Sequence, residues 1–218
     1  MTTPVYVVLG AGPGLGLSTA RRFAAAGHRA VLLGQSAESA QPLADQLATE
    51  GFEAEAGGVD LLDEADVRRA VGAVAERHGR IDVLHFNPSA WRERTVLELT
   101  VAELLEDVAF GVGALLPALQ AAAPVMPTGA RVLVTGSQAA DTPWSGAPTL
   151  GVQKAAVRNL VTSIDATMKE RGVRAVAMQV NGMLKKEGPF GPDAVSAALF
   201  AAATRPEEGW TAHLSYDG

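Results

Sequence analysis

Short, continuously apolar runs alternate along the chain with longer stretches that carry apolar residues at helical spacing. Val5–Leu9 is a β-branched and aliphatic run of the kind found in strands buried on both faces. Comparable runs recur at Ala30–Gly34, Phe52–Val59, Ile81–Asn87, Arg131–Gly136 and Val173–Val180, and Thr211–Tyr216 alternates as a final strand. Helices are predicted between them, over Leu17–Ala26, from a Ser36 or Ser39 cap to about Glu50, and over Asp63–His78, Leu99–Met126, Gly146–Arg171 and Asp193–Ala203. Gly27 suits the C-cap of the first. Asp63–His78 opens on acids and closes on bases, in accord with the helix dipole. A bend is expected near Pro117 in the longest helix. Strand and helix alternating in this way predict an α/β fold, a doubly wound parallel sheet of about seven strands with helices on both faces, as a single domain over residues 1–218.

The first strand-to-helix turn reads Gly10-Ala-Gly-Pro-Gly-Leu-Gly16. Without Cβ atoms the backbone there can turn tightly and approach a pyrophosphate, which then faces the free N–H groups of the following helix. Glycine also serves as plain turn punctuation, but here a strand precedes it and a helix follows. The reading is a Rossmann-type dinucleotide-binding loop with the spacing G-x-x-x-G-x-G.

Charge and composition narrow the partners. With 24 acidic and 18 basic residues the net charge is −6, which argues against nucleic acid. There is no cysteine, hence no disulfide, thiolate nucleophile or Cys-ligated zinc, and no metal site is expected. Met1-Thr-Thr-Pro-Val-Tyr lacks the basic start of a signal peptide, and no apolar run of about 18 residues is evident. The expectation is a cytoplasmic protein with no membrane partner.

Further landmarks follow in order. Asp60-Leu61 comes after the third strand, Phe86-Asn87-Pro88-Ser89 after the fourth, Thr135-Gly136-Ser137 after the fifth, and Lys154 lies on the helix that follows. Val180-Asn181-Gly182 and the terminal Ser-Tyr-Asp217-Gly218 complete the set. In order and spacing these resemble the short-chain dehydrogenase/reductase family over nearly the whole chain. The resemblance implies cofactor contacts at Gly10, Gly12, Gly14, Leu15, Gly16, Gln35, Ser36, Asp60, Leu61, Asn87 and Lys154. It implies catalytic roles for Ser137 and Lys154.

Three departures stand out. The family carries a Tyr four residues before the Lys and about thirteen after the Ser, and both counts land here on Leu150, which has no proton to exchange. The family also holds a water beside the Lys with an Asn, and that position falls at Ala109 or Phe110. The segment that usually forms a substrate lid is shortened to Met183–Pro192, enough to cover little. Trp91 and Trp144 either wall an apolar substrate pocket or cap the core, and His85 reads as a packed strand histidine.

After the second strand, Gly34-Gln35-Ser36 offers neither the acid that favours NAD nor the Arg that favours NADP. Small Gly34 and the donors on Gln35 and Ser36 lean the reading to NADP, with NAD as the alternative. The activity implied is an NAD(P)-dependent oxidoreductase acting on a small carbonyl or alcohol with an incomplete Ser-Tyr-Lys site. The alternatives are a catalytically silent nucleotide-binding sensor or scaffold and a non-redox enzyme on the same scaffold. The resemblance also implies a homodimer or homotetramer built from the helices over Leu99–Met126 and Gly146–Arg171.

Overall fold

Each apolar run becomes a strand, and all pair in parallel, in a computed structural model that describes residues 2–218; Met1, the first residue of the expected domain, lies outside them. The strands are β1 Val5–Leu9, β2 Arg29–Gly34, β3 Ala54–Gly58, β4 Val83–Phe86, β5 Arg131–Ser137, β6 Arg174–Val180 and β7 His213–Tyr216. Their order is β3-β2-β1-β4-β5-β6-β7. The chain therefore crosses back between β1 and β4, and an open α/β sheet forms its ligand crevice at the C-terminal strand ends beside such a crossing.

Alternation inside each strand explains why the runs are apolar throughout. Val5, Val7 and Leu9 face one core while Tyr6 and Val8 face the other. On the first face pack α3 (Glu64–His78), α5 (Leu115–Ala122) and α6 (Pro148–Met168), through residues such as Val71, Leu115 and Val161. On the second pack α1 (Leu15–Ala25), α2 (Ala37–Thr49) and α7 (Pro192–Thr204), through Phe23, Leu47 and Leu199. Each such fully buried side chain contributes about 1.5–3 kcal/mol.

The predicted Leu99–Met126 helix is not continuous. It forms α4 (Val101–Val108), a π turn over Ala109–Gly113, α5, and a 3₁₀ turn over Ala123–Val125. The irregularity thus precedes Pro117, which sits in the first turn of α5 where a missing N–H costs no helical bond. Val101–Val125 is also long and apolar enough, by length and composition, to cross a membrane, against the expectation that no such run exists. Half of its most apolar window is buried within this fold, against the sheet and its neighbouring helices.

Candidate functional site

Backbone requirements build the glycine loop. Gly10 has φ +78°, and a Cβ there would stand 3.0 Å from Pro88 N. The N–H groups of Gly10 and Ala11 both donate to Leu33 O at 3.0 Å, which ties the loop to β2. A Cβ on Gly16 would lie 3.2 Å from Ala11 Cα, so the start of α1 packs directly on the loop. Gly12 and Gly14 face open space instead. The first turn of α1 has neither a side-chain cap nor an acid, like those of α5 and α6 and unlike those of α2, α3 and α4, which Ser36, Asp63 and Thr100 cap. Of the three starts with neither, α1 alone opens on the glycine loop. Leu17 N–H donates to Gly12 O at 2.9 Å, and the N–H groups of Leu15 and Gly16 at the tip of the helix face the side from which an anion would approach.

A cleft of about 860 Å³ opens over this loop. Gly10, Gly12, Gly14, Leu15, Gly16, Gln35, Asp60, Leu61 and Asn87, all named as cofactor contacts from the sequence, line it. Asp60 is shaped by its own turn, its Oδ1 accepting from Leu62 N at 2.9 Å. Asn87 donates from Nδ2 to Gly10 O at 3.0 Å and so clamps the loop from β4.

The rest of the β2 end differs from the expectation. Ser36 does not line the cleft; its Oγ accepts from Ser39 N and its N–H donates to Ser39 Oγ in a capping box. Gly34 lines the cleft, but a Cβ there would point away into α2, meeting Ser39 Oγ at 3.0 Å and Ala40 Cβ at 3.2 Å. Among the described residues no Lys or Arg lines the cleft. Arg22 turns instead to Asp193 and Ser196 on α7, and His28 to Phe23 O.

Behind the cleft lies the other half of the expected site. Lys154 is buried, and its Nζ donates to Pro88 O at 3.1 Å and Thr135 O at 3.0 Å, the carbonyls of two cleft-lining residues. Burial lowers its pKa to about 8. Ser137 ends β5 half-buried, its Oγ accepting from Ala139 N at 3.2 Å. Neither Ser137 nor Lys154 is part of the cleft wall. Leu150 lies one turn before Lys154 on α6, half-buried.

Sequence reading missed Gln153. It is fully buried; its Oε1 accepts from Ala90 N at 3.0 Å and its Nε2 donates to Ala90 O at 3.2 Å. A Cβ on Gly111 would lie 2.1 Å from that Oε1, so the carboxamide occupies the space a side chain at 111 would need. Ala109 and Phe110, the two positions named for the family's Asn, carry no polar side chain, and the buried carboxamide against the π turn comes from Gln153 on α6. The signal was an unusual polar residue next to the Lys and a glycine inside a helix, readable only together. Phe110 lines the cleft from the π turn, a local geometry frequent at functional sites.

Trp91 and Trp144 do not cap the core. They stack on each other at 5.5 Å and 17°, and are 57% and 54% exposed. The shortened Met183–Pro192 segment still reaches the cleft through Leu184. His85 is a packed strand histidine, fully buried in β4.

Comparison with known proteins agrees with this geometry. The short chain dehydrogenase family model matches residues 4–186. Oxidoreductase UcpA of Salmonella typhimurium is 27% identical over 216 residues, covering 93% of this chain and 81% of that protein. The protein described as the monensin polyketide synthase ketoacyl reductase of Streptomyces virginiae is 38% identical over 107 residues, and there the chain spans only 41% of the relative's length. A short chain dehydrogenase from Burkholderia cenocepacia, solved in complex with NADP, superposes with a TM-score of 0.86 at 26% identity, over 98% of this chain and 96% of that one. With a parallel seven-stranded sheet, a glycine loop at its crossing point and a family match over most of its length, the chain belongs to the short-chain dehydrogenase/reductase family.

Proposed function

We propose that the cleft holds a nicotinamide dinucleotide and that the chain is an oxidoreductase for a small carbonyl or alcohol whose proton-relay side is incomplete. The observation that carries this reading is the uncapped start of α1 over the open faces of Gly12 and Gly14. When bound, the nicotinamide supplies or accepts a hydride. Gly12, Gly14, Leu15 and Gly16 hold the pyrophosphate, Asp60 and Leu61 flank the adenine, and Gln35 meets the ribose beside it. Asn87 and Lys154 serve the nicotinamide side, and Ser137 offers a hydroxyl to the substrate oxygen. Trp91 and Trp144 present apolar faces on the same ends of the sheet.

Charge favours NAD over the NADP to which the sequence leaned. A 2′-phosphate beside Gln35 meets no Lys or Arg in the cleft wall, and Ser36 is committed to its cap. A second reading, a catalytically silent dinucleotide sensor, is supported by Leu150 and by the engagement of Lys154 with two carbonyls. We also propose a homodimer or homotetramer, since Val101, Leu105, Leu116 and Val152 leave apolar side chains exposed on α4, α5 and α6.

Calorimetric and thermal-shift titration with NADH, NADPH and their oxidised forms tests the cofactor. Micromolar binding of one form supports both readings and opens a substrate screen. Binding of none at millimolar concentration removes the oxidoreductase and the sensor together.

A further inference from the structure

A buried line of polar side chains runs from the centre of the sheet to the glycine loop. Tyr6 Oη lies 2.6 Å from His85 Nδ1, and His85 Nε2 lies 2.9 Å from Thr135 Oγ1. Thr135 Oγ1 is 2.7 Å from Asn87 Oδ1, and Asn87 Nδ2 is 3.0 Å from Gly10 O. Tyr6 and His85 are completely buried on strands otherwise filled with apolar residues, where an unpaired polar group is costly.

The far end of the line fixes its direction. A backbone carbonyl only accepts, so Asn87 turns its NH₂ to Gly10 and its oxygen to Thr135. The Thr135 hydroxyl must then donate to that oxygen, and it accepts from His85. His85 therefore carries its proton on Nε2, and its bare Nδ1 accepts from Tyr6. The opposite tautomer reverses every link and sets the Asn87 oxygen against the Gly10 carbonyl, two acceptors facing each other.

We propose that His85 is a positioning residue: through the Thr135 hydroxyl it fixes which way the Asn87 carboxamide faces, and so holds the glycine loop in the form that receives the dinucleotide. Thr135 is the joint, because its hydroxyl serves Asn87 while its carbonyl accepts from Lys154. Tyr6 locks the tautomer from below. The proposal deepens the cofactor reading and rests on it only for the affinity measurement.

Two measurements on the full chain test it. In ¹⁵N NMR of the protein without ligand, the His85 ring is expected protonated on Nε2 and bare on Nδ1 from pH 5 to 8. Finding the proton on Nδ1 overturns the proposal. Thr135→Val keeps the side-chain shape and removes the hydroxyl. Its affinity for the dinucleotide is expected to fall about tenfold, with the Asn87 side-chain NH₂ signals shifted. Thr135→Ser restores both, which a merely packed threonine does not predict. Unchanged affinity and unshifted Asn87 signals in Thr135→Val overturn the proposal as well. If Thr135→Val does not fold, Tyr6→Phe is read instead: the ring nitrogens and the Asn87 signals are expected to shift, and spectra identical to wild type count against the line. If the wild type binds no dinucleotide, the cofactor reading fails while the ring tautomer and Asn87 signals still decide this proposal.

Discussion

The two sides of the cleft are held by different kinds of constraint. On the glycine-loop side, where we place the dinucleotide, the backbone sets the terms. Gly10 needs a positive φ and lies against Pro88, Gly16 must let α1 approach, and Gly12 and Gly14 must leave space. On the opposite side, where we place the proton relay, the candidate groups are side chains on α6, the π turn and the end of β5. The identity of residue 150, at the head of α6, leaves the helix and its core face intact, because Val157, Val161 and Ile164 do the packing. The Gln153 carboxamide fills the space that a side chain at Gly111 would need, so the contact between α6 and the π turn stays close-packed. The cleft can therefore keep its shape with different side chains at position 150, because α6 packs on the sheet through other residues.

The largest effect is expected where that difference is reversed. Leu150→Tyr places a phenol one turn before Lys154, whose ammonium is close enough to the cleft floor to bond Pro88 O and Thr135 O. With the dinucleotide that binds the wild type, reduction of small ketones is expected to rise about 10²–10⁴-fold, the range a placed general acid supplies. The measurement is kcat/KM over a ketone panel for both proteins. No gain would mean that the relay side is blocked by more than one missing hydroxyl, and would favour the silent reading.

Next in size is the packing of that side. Gly111→Ala drives a methyl into Gln153, whose carboxamide cannot swing away without leaving Ala90 N and O unpaired. Overpacking and lost buried hydrogen bonds together are expected to cost about 2–4 kcal/mol in denaturant unfolding. Gln153→Ala in the same chain should recover part of the loss, so the two changes are strongly non-additive. Additive costs would show that the two positions do not share one space.

The two sides also differed in how far they could be read from the sequence. The strand-loop-helix run from Val5 to Ala25 was legible because a glycine's absence of Cβ is a local fact. Asp60 and Asn87 were legible by their place after β3 and β4. The π turn at Ala109–Gly113 was not, and the predicted bend went to Pro117, because a proline in a first turn looks like one in a helix interior until the helix boundary is known. Gln153 and Gly111 lie 42 positions apart, and their shared volume exists only once α6 and the π turn are packed. Ser36 was equally ambiguous, as a helix cap and a ribose ligand call for the same hydroxyl.

On the dinucleotide side, cofactor choice should move by a smaller amount. Gln35 is the exposed residue after β2 that lines the cleft, where no cation is present among the described residues. Gln35→Arg is expected to shift the NADPH-to-NADH affinity ratio about tenfold toward NADPH, and less at high salt, because an exposed charge pair is screened. Titration of both forms at two ionic strengths reads it directly. A wild type that already prefers NADPH would place the 2′-phosphate away from Gln35.

The smallest expected effect concerns His85, where the two sides meet. Burial first, then the charge of Lys154, lower its pKa from 6.5 to about 3. The folded chain keeps it neutral across a range in which the unfolded chain protonates it. The unfolded state therefore binds more protons between pH 3 and 6.5, so stability falls as pH drops below 6.5 and is fully present above it. His28 and His213 are lowered in the same direction, also chiefly by burial, and add to the same slope. Between pH 7 and 6 the share of His85 is less than about 1 kcal/mol. His85→Gln should flatten the acid side of the stability profile by that share, while histidine replacement at 28 or 213 leaves the His85 contribution in place. Denaturant midpoints at half-unit steps from pH 5 to 7.5 resolve the difference. A profile as steep in His85→Gln as in wild type would mean that the buried ring accepts a proton within the folded chain. The one-way line from Tyr6 to Gly10 could not then hold, because a doubly protonated ring donates at both ends and leaves no acceptor for the Tyr6 hydroxyl.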